Sequence, residues 1–180
     1  MVHAEASTFA AGLSKADAYA QVLEQAEALF EGQRNWVCNL ANTASLLWHS
    51  YRALPAPSAA VNWAGFYVRD RSPAAFTSPQ LILGPFQGQV ACQTIALGKG
   101  VCGTAAAMAT TQLVPDVEKF PGHIACDGAS RSEIVVPVMK NEEVVAIIDV
   151  DCAELNGFDE VDRTELEKLA ALLARSCDFP

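Results

Sequence analysis

Positive charge is scarce in this sequence: 12 lysines and arginines stand against 21 aspartates and glutamates, for a formal net charge of −9. No basic cluster or basic-aromatic patch interrupts the acidic excess, so neither a phosphate backbone nor an anionic lipid surface finds an electrostatic partner. Long apolar runs are missing as well. Stretches such as Val144 to Ile148 fall far short of the roughly 20 residues a membrane-spanning helix requires. The amino-terminal "MVHAEASTFAAG" lacks the basic, apolar, cleavable pattern of a secretory signal, which gives the expectation of a cytoplasmic protein. Closely spaced cysteine pairs are also absent. None of the six cysteines forms a C-x2-C knuckle, which counts against a structural zinc site. In a reducing compartment they are expected as thiols with catalytic, redox or metal roles to weigh. With no internal repeat, low-complexity tract or linker, the chain reads as one domain over residues 1–180. Its 51% hydrophobic and 18% charged content suits a soluble globular domain, whose core is large enough to need no disulfide staples.

The pattern of apolar residues predicts helices at both ends and strands between them. "SKADAYAQVLEQAEALFEGQ" has Ser14 as N-cap and Gly32 as stop, and "NWVCNLANTASLLWHSYRAL" sets Trp36, Leu40, Leu47 and Tyr51 near one face before Pro55 and Pro57 break it. Strands are expected at "VNWAGFYVRD", "QLILGPF" and, shorter, "VACQTIAL", followed by a glycine turn into a small-residue helix at "GKGVCGTAAAMAT". A loop through "PDVEKFPGHIACDGASRS" leads to two further strands, "EIVVPVMK" and "EVVAIIDVD", joined by a tight turn near Asn141-Glu142. Pro137 inside the first of these predicts an edge or a bulge. An acid-led amphipathic helix, "FDEVDRTELEKLAALLARSC", closes the chain. This order gives an α+β fold, with helices packed on an antiparallel sheet and a loop-built site.

Candidate chemistry concentrates in the middle. Cys92, Cys102 and Cys126 fall in its turn and loop segments, with Gly122, Ala125, Gly128, Ala129 and Ser130 crowding small side chains around Cys126. A thiolate nucleophile needs such access, and the amides of a small-residue loop can supply positive potential; a tight structural turn has the same composition. Cys38, Cys152 and Cys177 lie in helical or strand-end patterns, where cysteine commonly serves as a small buried hydrophobe. Strand periodicity points Asp149 and Asp151 to the same side of one strand. Carboxylates gathered in one pocket cannot all ionise, so one proton is held near neutrality; the alternative is a pair of solvated strand-end acids. Trp63, in a strand pattern, reads as a core residue by default. His123 tempts a Cys-His pairing with Cys126, but nearness in sequence does not establish it.

The segments "GPFQGQVACQTIALGKGVCGTAAAM", "DVEKFPGHIACDGASRSEIVVPV" and "AIIDVD", with "NWAGFY" upstream, resemble the free methionine-(R)-sulfoxide reductases, single-domain enzymes of the GAF fold. The resemblance covers nearly the whole chain and implies reduction of the R epimer of free methionine sulfoxide, with thioredoxin as electron donor and no bound cofactor. By that resemblance Cys126 matches the catalytic cysteine, left as a sulfenic acid after methionine departs. Cys92 and Cys102 both match resolving positions; the resemblance favours Cys92 as the direct partner and Cys102 in an auxiliary role. Trp63, Glu133, Asp149 and Asp151 match substrate-binding positions.

Two rival readings come from other classes. A non-catalytic GAF module sensing a small ligand would share the fold without the chemistry. A zinc site of Cys92, Cys102, His123 and Cys126 has poor spacing, and no metal is expected. Whether the protein pairs as a homodimer is left open by the residues.

Overall fold

A computed structural model describes residues 4–122 and 128–180. Helix α1 (Lys15–Phe30) begins where the Ser14 hydroxyl accepts the Asp17 amide, and it buries Ala18, Tyr19, Val22, Ala26 and Phe30 at helical spacing. Gly32, at φ +70°, ends it in the left-handed region open to glycine. Helix α2 (Trp36–Ala53) is capped by Asn35, buries Leu40, Ala44, Leu47 and Tyr51, and stops just before Pro55. Two strands follow, β1 (Val61–Arg69) and β2 (Gln80–Gly88). The strand expected across "VACQTIAL" is confined to β3 (Thr94–Ala96), leaving Cys92 in the segment that leads into it. Helix α3 (Gly100–Met108) comes next, then β4 (Gln112–Val114), which is too short to carry a periodic signal and was not anticipated. Strands β5 (Ser132–Lys140) and β6 (Glu143–Cys152) form a hairpin, and α4 (Glu160–Ser176) follows under a capping box between Asp159 and Asp162.

All strand pairings are antiparallel, in the order β3-β2-β1-β6-β5-β4. The hairpin turn holds Asn141 and Glu142 both at positive φ, 51° and 65°, the backbone demanded by a two-residue connection between twisted strands. Pro137 is tolerated for the anticipated reason. Strand β4 pairs only with Glu133 to Val135, so the far half of β5 is an edge, and a register shift follows at Val138.

Period-two alternation gives the sheet two different faces. Ala64, Phe66 and Val68 of β1, Ile134, Val136 and Val138 of β5, and Ala146, Ile148 and Val150 of β6 turn toward α1, α2 and α4 and form the main core. Each large side chain buried there contributes about 1.5–3 kcal/mol. A polar clasp binds the three helices: Lys15 Nζ lies 2.6 Å from the fully buried Asp162, Tyr19 Oη donates to the same carboxylate at 2.9 Å, and Tyr51 Oη of α2 reaches it at 3.4 Å. The opposite face carries Trp63, Tyr67, Val135 and Ile147, and α3 covers it with Val101, Cys102, Ala105 and Ala106. The same alternation therefore points Glu133, Asp149 and Asp151 toward α3.

Two cysteine expectations need correction. Cys38 is exposed on α2 rather than buried, whereas Cys152 and Cys177 are buried as expected. Cys102 is not a loop residue; it sits in the first turn of α3, buried against the sheet. Among the described residues no helix is long and apolar enough to cross a membrane.

Candidate active site

Between α3 and the second face of the sheet lies a pocket lined by Trp63, Cys92, Cys102, Glu133, Asp149 and Asp151. Six of the seven residues singled out from the sequence thus meet in one place; the seventh, Cys126, and His123 lie outside the described residues. Among the described residues, strands β1, β5 and β6 supply its floor, α3 one wall, and the loop residues 89–92 and Ser130 complete the lining.

Register explains the acid cluster. Glu133 on β5 pairs directly with Asp151 on β6, and Asp151 pairs in turn with Trp63 on β1. Asp149, two residues before Asp151, lies deeper in the sheet opposite Gly65 and Val135. Glu133 and Asp149 are 6% and 5% exposed, so neither carboxyl is solvated well enough to ionise freely, while Asp151 is half-buried nearer the mouth. Burial, followed by the charges of Asp149 and Asp151, holds the Glu133 carboxyl well above the usual carboxylate range. Burial also pushes Asp149 up to about 6, although hydrogen bonds from Cys102 and Glu133 oppose the shift. The pair is therefore arranged to share a proton near neutral pH, with Glu133 as donor and Asp149 as acceptor. Asp149 Oδ1 is buried and has no hydrogen-bond partner.

The thiol of Cys102 donates to Glu133 Oε1 across 3.5 Å. Burial, then the neighbouring Asp149 and Glu133 charges, push it well above an ordinary thiol pKa, so it is held neutral. Cys92 differs: it is half-buried and disulfide-bonded, whereas Cys38, Cys102, Cys152 and Cys177 are free. Because Cys92 has no free thiolate to offer, the four-residue zinc set considered from the sequence is incomplete here.

Trp63 forms the aromatic wall. Its ring stacks on Phe86 at 5.2 Å and on Tyr67 at 5.9 Å, and its Nε1 donates to the Gln89 carbonyl at 3.1 Å. That bond anchors the segment leading from β2 to Cys92. Close stacking requires Gly65, where a Cβ would lie 2.3 Å from Phe86 Cβ and 2.7 Å from the Trp63 ring. Asn62 Nδ2 donates to the pocket residue Ser130 at Oγ, across 3.1 Å. Sequence reasoning missed Tyr67, Lys99 and Ser130, which also line the pocket. Tyr67 was accessible to it, since period two from Trp63 places it on the same face.

A six-stranded antiparallel sheet with helices on both faces and a ligand-sized pocket beneath one short helix is the architecture of a GAF domain, and the GAF domain family model matches residues 52–176. A free methionine-R-sulfoxide reductase of Saccharomyces cerevisiae is 52% identical over 98% of this chain and 95% of its own length. One from Escherichia coli is 39% identical over 91% of this chain and 90% of its own. The X-ray structure of the free methionine-R-sulfoxide reductase from Neisseria meningitidis in complex with its substrate superposes with a TM-score of 0.82 at 39% identity, covering 93% of each chain. The chain belongs to the free methionine-R-sulfoxide reductase family, a family of oxidoreductases within the GAF fold.

Proposed function

We propose that this protein reduces free L-methionine-(R)-sulfoxide to L-methionine by thiol chemistry, with residues 1–180 acting as one cytoplasmic catalytic unit. The observation that carries this reading is a proton-sharing buried acid pair beside a disulfide-bonded cysteine in one small pocket. Trp63 presents its face to the methylthio end, and Asp151, nearer the mouth, is suited to the substrate ammonium. Glu133 and Asp149 hold the sulfoxide oxygen and deliver a proton to it as the Cys126 thiolate attacks sulfur. The S–O bond breaks, methionine leaves, and Cys126 becomes a sulfenic acid. Attack by the Cys92 thiol then forms the Cys92–Cys126 disulfide and releases water. Exchange with a thioredoxin dithiol restores both thiols and oxidises the donor. Thiols and carboxyls suffice for every step, with no bound cofactor.

The states of the cysteines support Cys92 as resolver: it is engaged in a disulfide, while Cys102 is a free, neutral thiol buried against two acids. Such a thiol is a poor nucleophile and serves better as a hydrogen-bond donor to Glu133. The test is methionine release from the free R-sulfoxide with a thioredoxin system, compared with the S epimer and with the sulfoxide inside a peptide. Turnover confined to the free R form is expected. Tight binding without turnover would replace the reductase with a ligand-sensing GAF module.

A further inference from the structure

We propose that Cys102, Glu133 and Asp149 form a binding site for one soft divalent cation of the zinc class. Among the described residues, these three bring a thiol sulfur and two carboxylate oxygens within 4.8 Å of one another, all on buried side chains. The geometry is specific. Zinc held at ~2.3 Å by sulfur and ~2.0–2.2 Å by oxygen, at tetrahedral angles, sets those ligands about 3.5–3.7 Å apart. Cys102 Sγ and Glu133 Oε1 stand 3.5 Å apart. A second observation points the same way: Asp149 Oδ1, in a carboxyl only 5% exposed, has no hydrogen-bond donor to satisfy it. A buried acceptor without a donor is suited to a cation.

The three ligands come from three elements, α3, β5 and β6, whose positions are fixed by the strand pairing and by packing of α3 on the sheet. Closing the site draws the Asp149 oxygen in from within 4.8 Å toward a pair already at the zinc spacing. The fourth tetrahedral position is left for water, which the pocket lined by all three donors admits. The donor set also selects the ion. Thiolate favours zinc or cadmium over magnesium or calcium, which prefer oxygen alone. On binding, Cys102 loses its proton and the Glu133–Asp149 pair loses the one it shares, both to solvent, and the cation takes their place between sulfur and the two carboxylates.

The experiment uses the full-length protein with Cys92 in its disulfide and Cys38→Ser as background, so that among the described residues no other pocket thiol and no exposed thiol competes. Titration with Cd²⁺ alone should produce a thiolate-to-cadmium charge-transfer band saturating at one equivalent, unaffected by excess Mg²⁺. Cys102→Ser should abolish the band, and Asp149→Asn should weaken binding at least about tenfold, the lower range for disturbing a metal site. Absence of the band in the parent, its persistence in Cys102→Ser, or unchanged affinity in Asp149→Asn would overturn the site. Circular dichroism of both variants separates loss of a ligand from loss of fold. Competition with methionine sulfoxide is a separate consequence that rests on the substrate reading above. A cation that binds without displacing that substrate would leave this site standing and count against the pocket assigned to the substrate.

Discussion

Asp149→Asn should make the protein more stable at neutral pH while removing its chemistry, and the size of the gain follows from the acid pair. Burial raises the Asp149 carboxyl from 3.8 to about 6. At 1.36 kcal/mol per unit, that shift costs the folded state about 3 kcal/mol once the group must ionise. The sign follows from proton uptake. Between pH 3.8 and about 6 the folded chain binds more protons at this position than the unfolded chain, so its contribution to stability falls as pH rises. Below that window both states are protonated and the penalty vanishes. An asparagine carries no charge at any of these values, and its amide can still meet Glu133. Urea unfolding of both proteins at intervals from pH 3.5 to 7.5, with Cys92 kept in its disulfide, measures the gap. The constant part of the difference reports altered packing; the pH-dependent part should grow toward about 3 kcal/mol in favour of asparagine, or roughly 6–12 °C in Tm for a domain of this size. A gap that does not change with pH, or one that grows in favour of aspartate, would refute the claim that this carboxyl is buried at an energetic cost.

Cys126→Ser should abolish methionine release with the fold intact, because a hydroxyl of nearly the same size is a far weaker nucleophile near neutral pH; Cys38→Ser, altering an exposed thiol on α2, should leave kcat unchanged. Loss of turnover in the second, with folding preserved, would show that the cysteines had been sorted wrongly. Cys92→Ser should still release methionine in a single turnover, but steady-state recycling through thioredoxin should collapse, with a Cys126 sulfenic acid trapped by a dimedone-type reagent. A dominant Cys102–Cys126 linkage by mass spectrometry in the oxidised wild type would reassign the resolver. Gly65→Ala should cost about 1–3 kcal/mol by overpacking and raise KM, since its Cβ would press within 2.7 Å of the Trp63 ring and 2.3 Å of Phe86. An unchanged KM would show that the aromatic wall does not touch substrate.

What was legible in the sequence is what one element carries alone. Periodicity located the long helices and Ser14 marked the start of the first; Asn35 and Asp159, like Ser14, satisfy amides within their own first turn. The alternation of β6 likewise sufficed to put Asp149 and Asp151 on one side. It could not rank their depth, because depth depends on neighbours: Asp149 faces the sheet interior opposite Gly65 and Val135, whereas Asp151 pairs with Glu133 near the mouth. Nor could it find the Cys102–Glu133 contact, which joins a helix to a strand 31 positions away. The misreadings of Cys38 and Cys102 have different origins. Helical pattern alone does not say which side the rest of the molecule will cover, and α2 leaves Cys38 in solvent; the glycines around Cys102 read as a turn, whereas α3 already begins at Gly100 and the sheet encloses Cys102 beneath it.

That enclosure ties the fold to the chemistry. One face of the sheet is apolar along β1, β5 and β6, packs against three helices and forms the main core. The second face can therefore carry Glu133 and Asp149 in a poorly solvated place where neither ionises freely. A surface pair would ionise and have no proton to give; an apolar pair would fold more tightly and bind nothing. Placing the acids under α3 keeps a proton available near neutrality at a cost that the opposite face offsets. The predicted stabilisation of Asp149→Asn is the measurable form of that cost.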